Sequence, residues 1–234
     1  MVRAVSHVVA LHGFAGTGRT WDGVGAGVVA PDLPGHGAAA QAPVSFVSCV
    51  DVVLAAAPER FTLAGYSMGG RIALHVALAA PERVARLVLV STTAGIEDGR
   101  ERDARRRTDE ALADEVQAGT IEDFAARWMA LALFAGEPPA VRARWREDIL
   151  RNTPAGLAAS LRGAGTGAMT PLWARLGELA MPATVLAGER DAKFRVLGER
   201  LASALPGAGP LVVVPGAGHG LPREAPAAVA AALV

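Results

Sequence analysis

The 234-residue chain has a single lysine, Lys193, a single cysteine, Cys49, and a single tyrosine, Tyr66. Aromatic residues make up only 5% of it, and its 23 basic side chains are matched by 23 acidic ones. Each scarcity excludes something. One cysteine cannot close an intramolecular disulfide or build a Cys-rich zinc site, and no metal or cofactor is expected. A neutral chain lacks the basic footprint that non-specific binding to nucleic acid or to an anionic membrane requires. No apolar run approaches the roughly 18–20 residues of a bilayer-spanning helix. Met1–His7 has neither the apolar stretch nor the small-residue cleavage site of a secretory leader, so a cytoplasmic location is expected. With lysine nearly absent, 22 of the cations are arginines. Arginine as a type therefore carries no information here, and only position does.

What is present is an apolar, helix-and-strand chain. Hydrophobic residues make up 51% of it, too many for a disordered segment at zero net charge. The length fits one domain, or one domain with a large insertion. Short β-rich runs end in turn formers: Val8–Leu11, Val28–Ala30, Phe61–Ala64, Leu87–Val90, Thr184–Ala187 and Leu211–Val214. They are apolar throughout rather than alternating, which is the pattern of strands buried on both faces of a parallel sheet. Helical patterns at Ser45–Ala57, Met68–Ala80, Arg195–Ala204 and Pro226–Leu233 fill the gaps. The alternation predicts a doubly wound α/β sheet. Between about residues 96 and 171 no strand is predicted. Instead, charged helical stretches cover Asp98–Ala118, Thr120–Phe134 and Pro138–Asn152, with Thr120 and Asp123 spaced as a helix start. The expected organisation is a core of residues 1–95 and 172–234 with an all-helical cap at 96–171.

Gly65-Tyr66-Ser67-Met68-Gly69 fits G-x-S-x-G between a predicted strand and a predicted helix. In that setting the glycines permit a sharp turn that projects a serine hydroxyl. A serine nucleophile or base needs a histidine, and the histidine needs an orienting carboxylate. In this topology they follow in the order Ser, acid, His, each just past a strand end. Asp191 follows the run ending at Ala187, and His219 follows the run ending at Val214. Glu189 is the rival acid. Among the other histidines, His7 lies at or before the first strand, His75 falls within a helix, and His36 lies in a turn where a structural role is expected. An oxyanion site needs two backbone N–H groups, and Met68 and Phe14 are the expected donors. His12 is expected to brace the Phe14 loop. The reading at this point is an α/β-hydrolase fold with a Ser67–Asp191–His219 triad.

Arg71 lies one helical turn after Ser67 on nearly the same face. A cation in a first turn opposes the helix dipole, at about 0.3–1 kcal/mol. Either an anion compensates it, or it is a surface arginine paired with a nearby acid. The other arginines of the insertion share it with thirteen acids and are expected mainly on solvated helix faces.

Several segments together resemble one family. They include Leu11-His-Gly-Phe14, Asp32-Leu-Pro-Gly-His-Gly37, the elbow through Arg71, and Arg105-Arg-Arg-Thr-Asp109. Narrower strings are Leu161-Arg-Gly-Ala-Gly-Thr-Gly167 and Gly188-Glu-Arg-Asp-Ala-Lys-Phe194, followed by Gly218-His219. The chain resembles, along its whole length, the 2-succinyl-6-hydroxy-2,4-cyclohexadiene-1-carboxylate synthases of menaquinone biosynthesis. That resemblance implies a lyase eliminating pyruvate from a small polycarboxylate, with no cofactor, nucleic-acid or membrane partner. It implies Arg71, Arg105 and Arg151 as carboxylate ligands, and Tyr66 and Trp128 as pocket residues. One departure is expected: the chain begins almost at the His-Gly strand, so the leading antiparallel strands usual in the wider fold should be short or absent. The alternatives are a serine hydrolase, either an esterase or a C–C bond hydrolase, and a non-catalytic binding protein. The sequence carries no signal of oligomeric state.

Overall fold

The computed structural model describes residues 7–25 and 27–234. The leader and leading-strand readings, which fall on residues 1–6, lie outside the described residues. Strands β1 (Val8–Leu11), β2 (Val28–Val29), β3 (Phe61–Tyr66), β4 (Val84–Val90), β5 (Ala183–Gly188) and β6 (Val212–Val214) form one sheet. Its order is β2-β1-β3-β4-β5-β6, and every neighbouring pair is parallel. The sequence therefore placed all six strands, although β3 and β4 are longer than their purely apolar runs. Side chains alternate between the two faces of each strand. Val9, Leu11, Leu63, Leu87, Leu89 and Val185 join the core beneath helices α1 (Phe46–Ala56), α2 (Met68–Ala79) and α7 (Ala192–Ala204). Ala10, Ala64, Val88, Val90 and Leu186 face the other way, toward Trp21 and the C-terminal helices α8 (Leu221–Glu224) and α9 (Pro226–Ala232). Each fully buried leucine or valine contributes about 1.5–3 kcal/mol.

Burial on both faces does not extend to the last strand. Val212 is 43% and Val213 36% exposed, because β6 pairs only with β5 at the sheet edge. There the expectation of a doubly covered strand is corrected.

Between β4 and β5 the chain forms only helices: α3 (Gly99–Ala118), α4 (Ile121–Met129), α5 (Pro139–Ile149) and α6 (Pro154–Ala164), with short 3-10 turns. Their starts follow capping chemistry. Asp98 accepts the Glu101 N–H at 2.8 Å, Thr120 accepts Asp123 at 3.1 Å, and Thr153 accepts Gly156 at 3.1 Å. Helix α6 was not anticipated, although Thr153-Pro154 is a good start signal. Val116, Phe124, Phe134, Trp145, Ile149, Leu157 and Leu161 give this segment a hydrophobic cluster of its own, joined from below by Ala15 and Phe14. We treat residues 96–171 as a cap over the C-terminal edge of the sheet. Among the described residues no helix is long and apolar enough to cross a membrane.

Candidate active site

Ser67 stands between β3 and α2 with φ 53° and ψ −110°, a conformation that L-residues rarely adopt. Close packing holds it there. A Cβ on Gly65 would lie 2.4 Å from the Gly69 carbonyl oxygen, and one on Gly69 would lie 2.2 Å from that of Leu11. Strand and helix can approach this closely only through glycine. The Ser67 N–H donates to Val90 at 2.9 Å, and Thr92 Oγ1 donates to the Ser67 carbonyl at 2.7 Å.

His219 and Asp191 reach the serine from the turns after β6 and β5. His219 Nδ1 lies 2.6 Å from Asp191 Oδ2, and Nε2 lies 3.2 Å from Ser67 Oγ. A carboxylate only accepts, so Nδ1–H donates to Asp191 and Nε2 is left to accept the serine proton. Both residues are buried. Tyr66, Phe194 and Phe134 surround the imidazole with ring centroids at 5.4, 4.6 and 6.0 Å. Glu189, the rival acid, instead accepts the Gly216 N–H at 2.8 Å and so holds the turn leading to His219.

The loop after β1 carries Phe14. Gly16 N–H closes a turn onto the Gly13 carbonyl at 3.1 Å, and Ala15 takes a positive φ of 64°. His12 braces this loop: its Nε2 accepts Leu33 N–H at 2.9 Å and its Nδ1 contacts the Gly13 carbonyl at 2.8 Å. The nearby His36 ring meets it edge-on at 4.9 Å. Met68 is the first residue of α2, where backbone N–H groups lack intrahelical acceptors. Phe14 and Met68 both line the cavity over Ser67.

That cavity has a volume of about 540 Å³. It lies between the sheet edge and the cap, and Tyr66, Arg71, Arg105 and Trp128 line it with Ser67 and His219. Arg71 is not a surface residue. It is 7% exposed, donates from Nη1 to the Ala164 carbonyl at 2.7 Å, and among the described residues makes no ion pair. Burial first, and then the Arg105 charge, pull its pKa down to about 10. The Asp109 charge offsets only part of this, so a further anion beside the guanidinium would stabilise it. Arg105 is half-exposed and donates from Nε to Asp109 at 2.7 Å, while the second Asp109 oxygen accepts Gly167 N–H at 3.1 Å. Trp128 packs on Phe14 and Phe124. Burial pushes the Tyr66 phenol up to about 12, against an opposing pull from Arg223.

Arg151 is not brought into this cavity. It is exposed and lines a separate cleft with Arg19, Asp32 and Ala38. It stands in the turn after α5, whose inward face carries Trp145, Asp148 and Ile149. Sequence reasoning also missed several inward groups. Asp148 accepts from Thr17 and Thr20, Asn152 holds Ala15 and Gly37, and Glu137 pairs with Arg223. Each pairing joins the cap to the core across many residues, and neither local spacing nor periodicity signals it. Among the described residues no cluster of His, Cys, Asp and Glu is placed to hold a metal ion.

The alpha/beta hydrolase family signature matches residues 8–232. A 2-succinyl-6-hydroxy-2,4-cyclohexadiene-1-carboxylate synthase from Klebsiella pneumoniae is 34% identical, over 97% of this chain and 91% of that protein. The solved structure of MenH from S. aureus superposes with a TM-score of 0.86 at 31% identity, covering 95% of this chain and 90% of its own. A malate-bound thermophilic esterase from Thermogutta terrifontis superposes with a TM-score of 0.80 at 26% identity, covering 96% and 86%.

Proposed function

The chain belongs to the alpha/beta hydrolase family and, within it, to the 2-succinyl-6-hydroxy-2,4-cyclohexadiene-1-carboxylate synthases, and from that premise we propose how it works. It eliminates pyruvate from 2-succinyl-5-enolpyruvyl-6-hydroxy-3-cyclohexene-1-carboxylate in menaquinone biosynthesis. Ser67, having passed its hydroxyl proton to Nε2 of His219, whose Nδ1–H is held by Asp191, removes the proton beside the succinyl ketone. The electron pair of that C–H bond forms an enolate, whose oxygen takes hydrogen bonds from the Phe14 and Met68 N–H groups. The enolate then collapses through the ring double bond and breaks the C–O bond to the enolpyruvyl group. His219 returns the proton to the leaving group, which tautomerises to pyruvate. Arg71 and Arg105 hold substrate carboxylates, and Tyr66 and Trp128 shape the pocket. In this reading the enzyme works in the cytoplasm on a small molecule, without nucleic acid or membrane.

The observation that carries the reading is the pairing of the serine with a buried, anion-deficient Arg71 in one cavity. An esterase for neutral substrates has no use for a cation desolvated beside its nucleophile, whereas a polycarboxylate compensates it with charge-assisted hydrogen bonds. The test is pyruvate release from the authentic intermediate. The wild-type enzyme turns it over and Ser67→Ala does not. Fast hydrolysis of neutral esters with no pyruvate release would replace this reading with the esterase.

A further inference from the structure

In the reading above the substrate brings three carboxylates, on the succinyl, ring and enolpyruvyl groups. Arg71 and Arg105 stand close enough for one charge to disturb the other, so they serve one end of the cavity. With Arg151 outside it, a third carboxylate lacks its expected cation. The other cations lining the cavity are Arg127, Lys193 and Arg223. Arg127 is 53% exposed and already paired with Glu115, and Lys193 is exposed. Arg223 differs from both. Its side chain is 9% exposed, and its guanidinium lies 4.2 Å from the Trp145 ring centroid and 5.6 Å from that of Tyr66. Tyr66 precedes Ser67 in sequence and its ring centroid lies 5.4 Å from that of His219. Arg223 therefore stands on the Tyr66–Trp145 side of the cavity, whereas Arg71 is bound to the Ala164 carbonyl.

Its hydrogen bonding is incomplete. Arg223 Nη2 donates to Glu137 Oε1 at 3.1 Å, while among the described residues neither its buried Nε nor Glu137 Oε2 has a hydrogen-bond partner. A guanidinium offers five N–H groups in a rigid fork, and an aromatic face beneath it fixes the plane of the fork. Buried donors left unpaired cost about 1–3 kcal/mol each, a cost that a ligand able to accept from them removes. Burial disfavours the Arg223 charge, and Tyr66 and Glu137 offset it, because an isolated buried cation is unfavourable.

We propose that Arg223 is a third carboxylate ligand, a specificity-determining residue that receives one substrate carboxylate on the Tyr66–Trp145 side of the cavity. The inference rests on the function proposed above, and its test is independent of turnover. Tricarballylate, a flexible tricarboxylate, is titrated calorimetrically into the wild-type protein, Glu137→Gln and the double variant Glu137→Gln/Arg223→Gln. Removing Glu137 from both arms separates ligand binding from loss of the ion pair. The double variant should bind about tenfold or more weakly than Glu137→Gln, one lost charge-assisted contact. Equal affinities, or no binding to the wild-type protein, overturn the proposal. Should the double variant not fold, Arg223→Lys keeps the charge beside Glu137 but not the fork. It should bind tricarballylate severalfold more weakly, with unchanged affinity again overturning the idea. In turnover, Arg223→Lys should raise KM with kcat nearly kept, whereas a purely structural role lowers Tm and leaves KM alone. A wild-type enzyme that binds the probe but releases no pyruvate defeats the proposed reaction and leaves the Arg223 site standing.

Discussion

Asp148, on the last turn of α5, accepts the backbone N–H of Thr17 at 3.1 Å across 131 residues of sequence. The same carboxylate takes the Thr17 hydroxyl and, at 3.3 Å, that of Thr20. One turn on, Asn152 Nδ2 donates to the Ala15 carbonyl at 3.0 Å, and its Oδ1 accepts Gly37 N–H at 3.1 Å. The cap therefore grips the loop that presents Phe14 N–H. Asp148→Ala leaves Thr17 N–H buried and unpaired, which should cost about 1–3 kcal/mol in urea unfolding. Because the loop also carries Phe14, the proposed oxyanion donor, kcat should fall more than KM rises. An Asp148→Ala enzyme with wild-type stability and kcat would show that the grip is incidental.

Arg71 and Arg151 make opposite predictions. Arg71 is buried in the cavity and Arg151 is exposed outside it. Hydrogen bonds to charged groups contribute about 1.5–3 kcal/mol, so Arg71→Ala should lower kcat/KM about ten- to hundredfold. Arg151→Ala should stay within about twofold, the range of a surface substitution. Steady-state pyruvate release on the two variants decides, and equal losses would return Arg151 to the site.

The elbow tolerates no side chain at Gly65, because a Cβ there would meet the Gly69 carbonyl oxygen at 2.4 Å, a backbone atom with nowhere to go. Gly65→Ala should lower Tm by many degrees and abolish turnover, while Gly25→Ala, with open space around the added methyl, should leave both alone. Thermal unfolding of the two proteins checks this.

How much of this was legible beforehand follows from interaction range. The strands, the elbow and the order Ser67, Asp191, His219 were readable because parallel βα units write their apolar runs and turns locally. The insertion was readable as helical from the missing strands and from Thr120. What escaped were groups defined by partners far along the chain. Glu137 and Arg223 are 86 residues apart and Asn152 and Ala15 are 137 apart. In a chain where almost every cation is arginine, nothing local marks Arg223 as buried or Arg151 as exposed. Their separation came from how the α8 helix and the turn after α5 pack against other segments, which no local pattern records.

The buried pair His12 and His36 sets the acid limit of the fold. Burial holds both pKa values down, that of His36 to about 3, with the His12 ring adding to the effect on His36. His12 is further committed to the neutral form, since its Nε2 accepts Leu33 N–H and cannot also carry a proton. The unfolded chain titrates these groups near the ordinary histidine value of about 6.5. Below that value the unfolded state binds protons that the folded state refuses. The contribution of His36 is therefore complete above about pH 6.5 and is lost as pH falls toward 3, by about 1.4 kcal/mol per pH unit, with His12 adding in the same direction. Going from about pH 7 to about pH 5, His36 alone should remove about 2 kcal/mol of unfolding free energy. His36→Asn keeps a side chain able to donate to Pro34 and removes the titration. Urea midpoints at the two pH values should therefore converge in the variant relative to the wild-type protein. An undiminished pH slope in His36→Asn would place the acid sensitivity elsewhere in the fold.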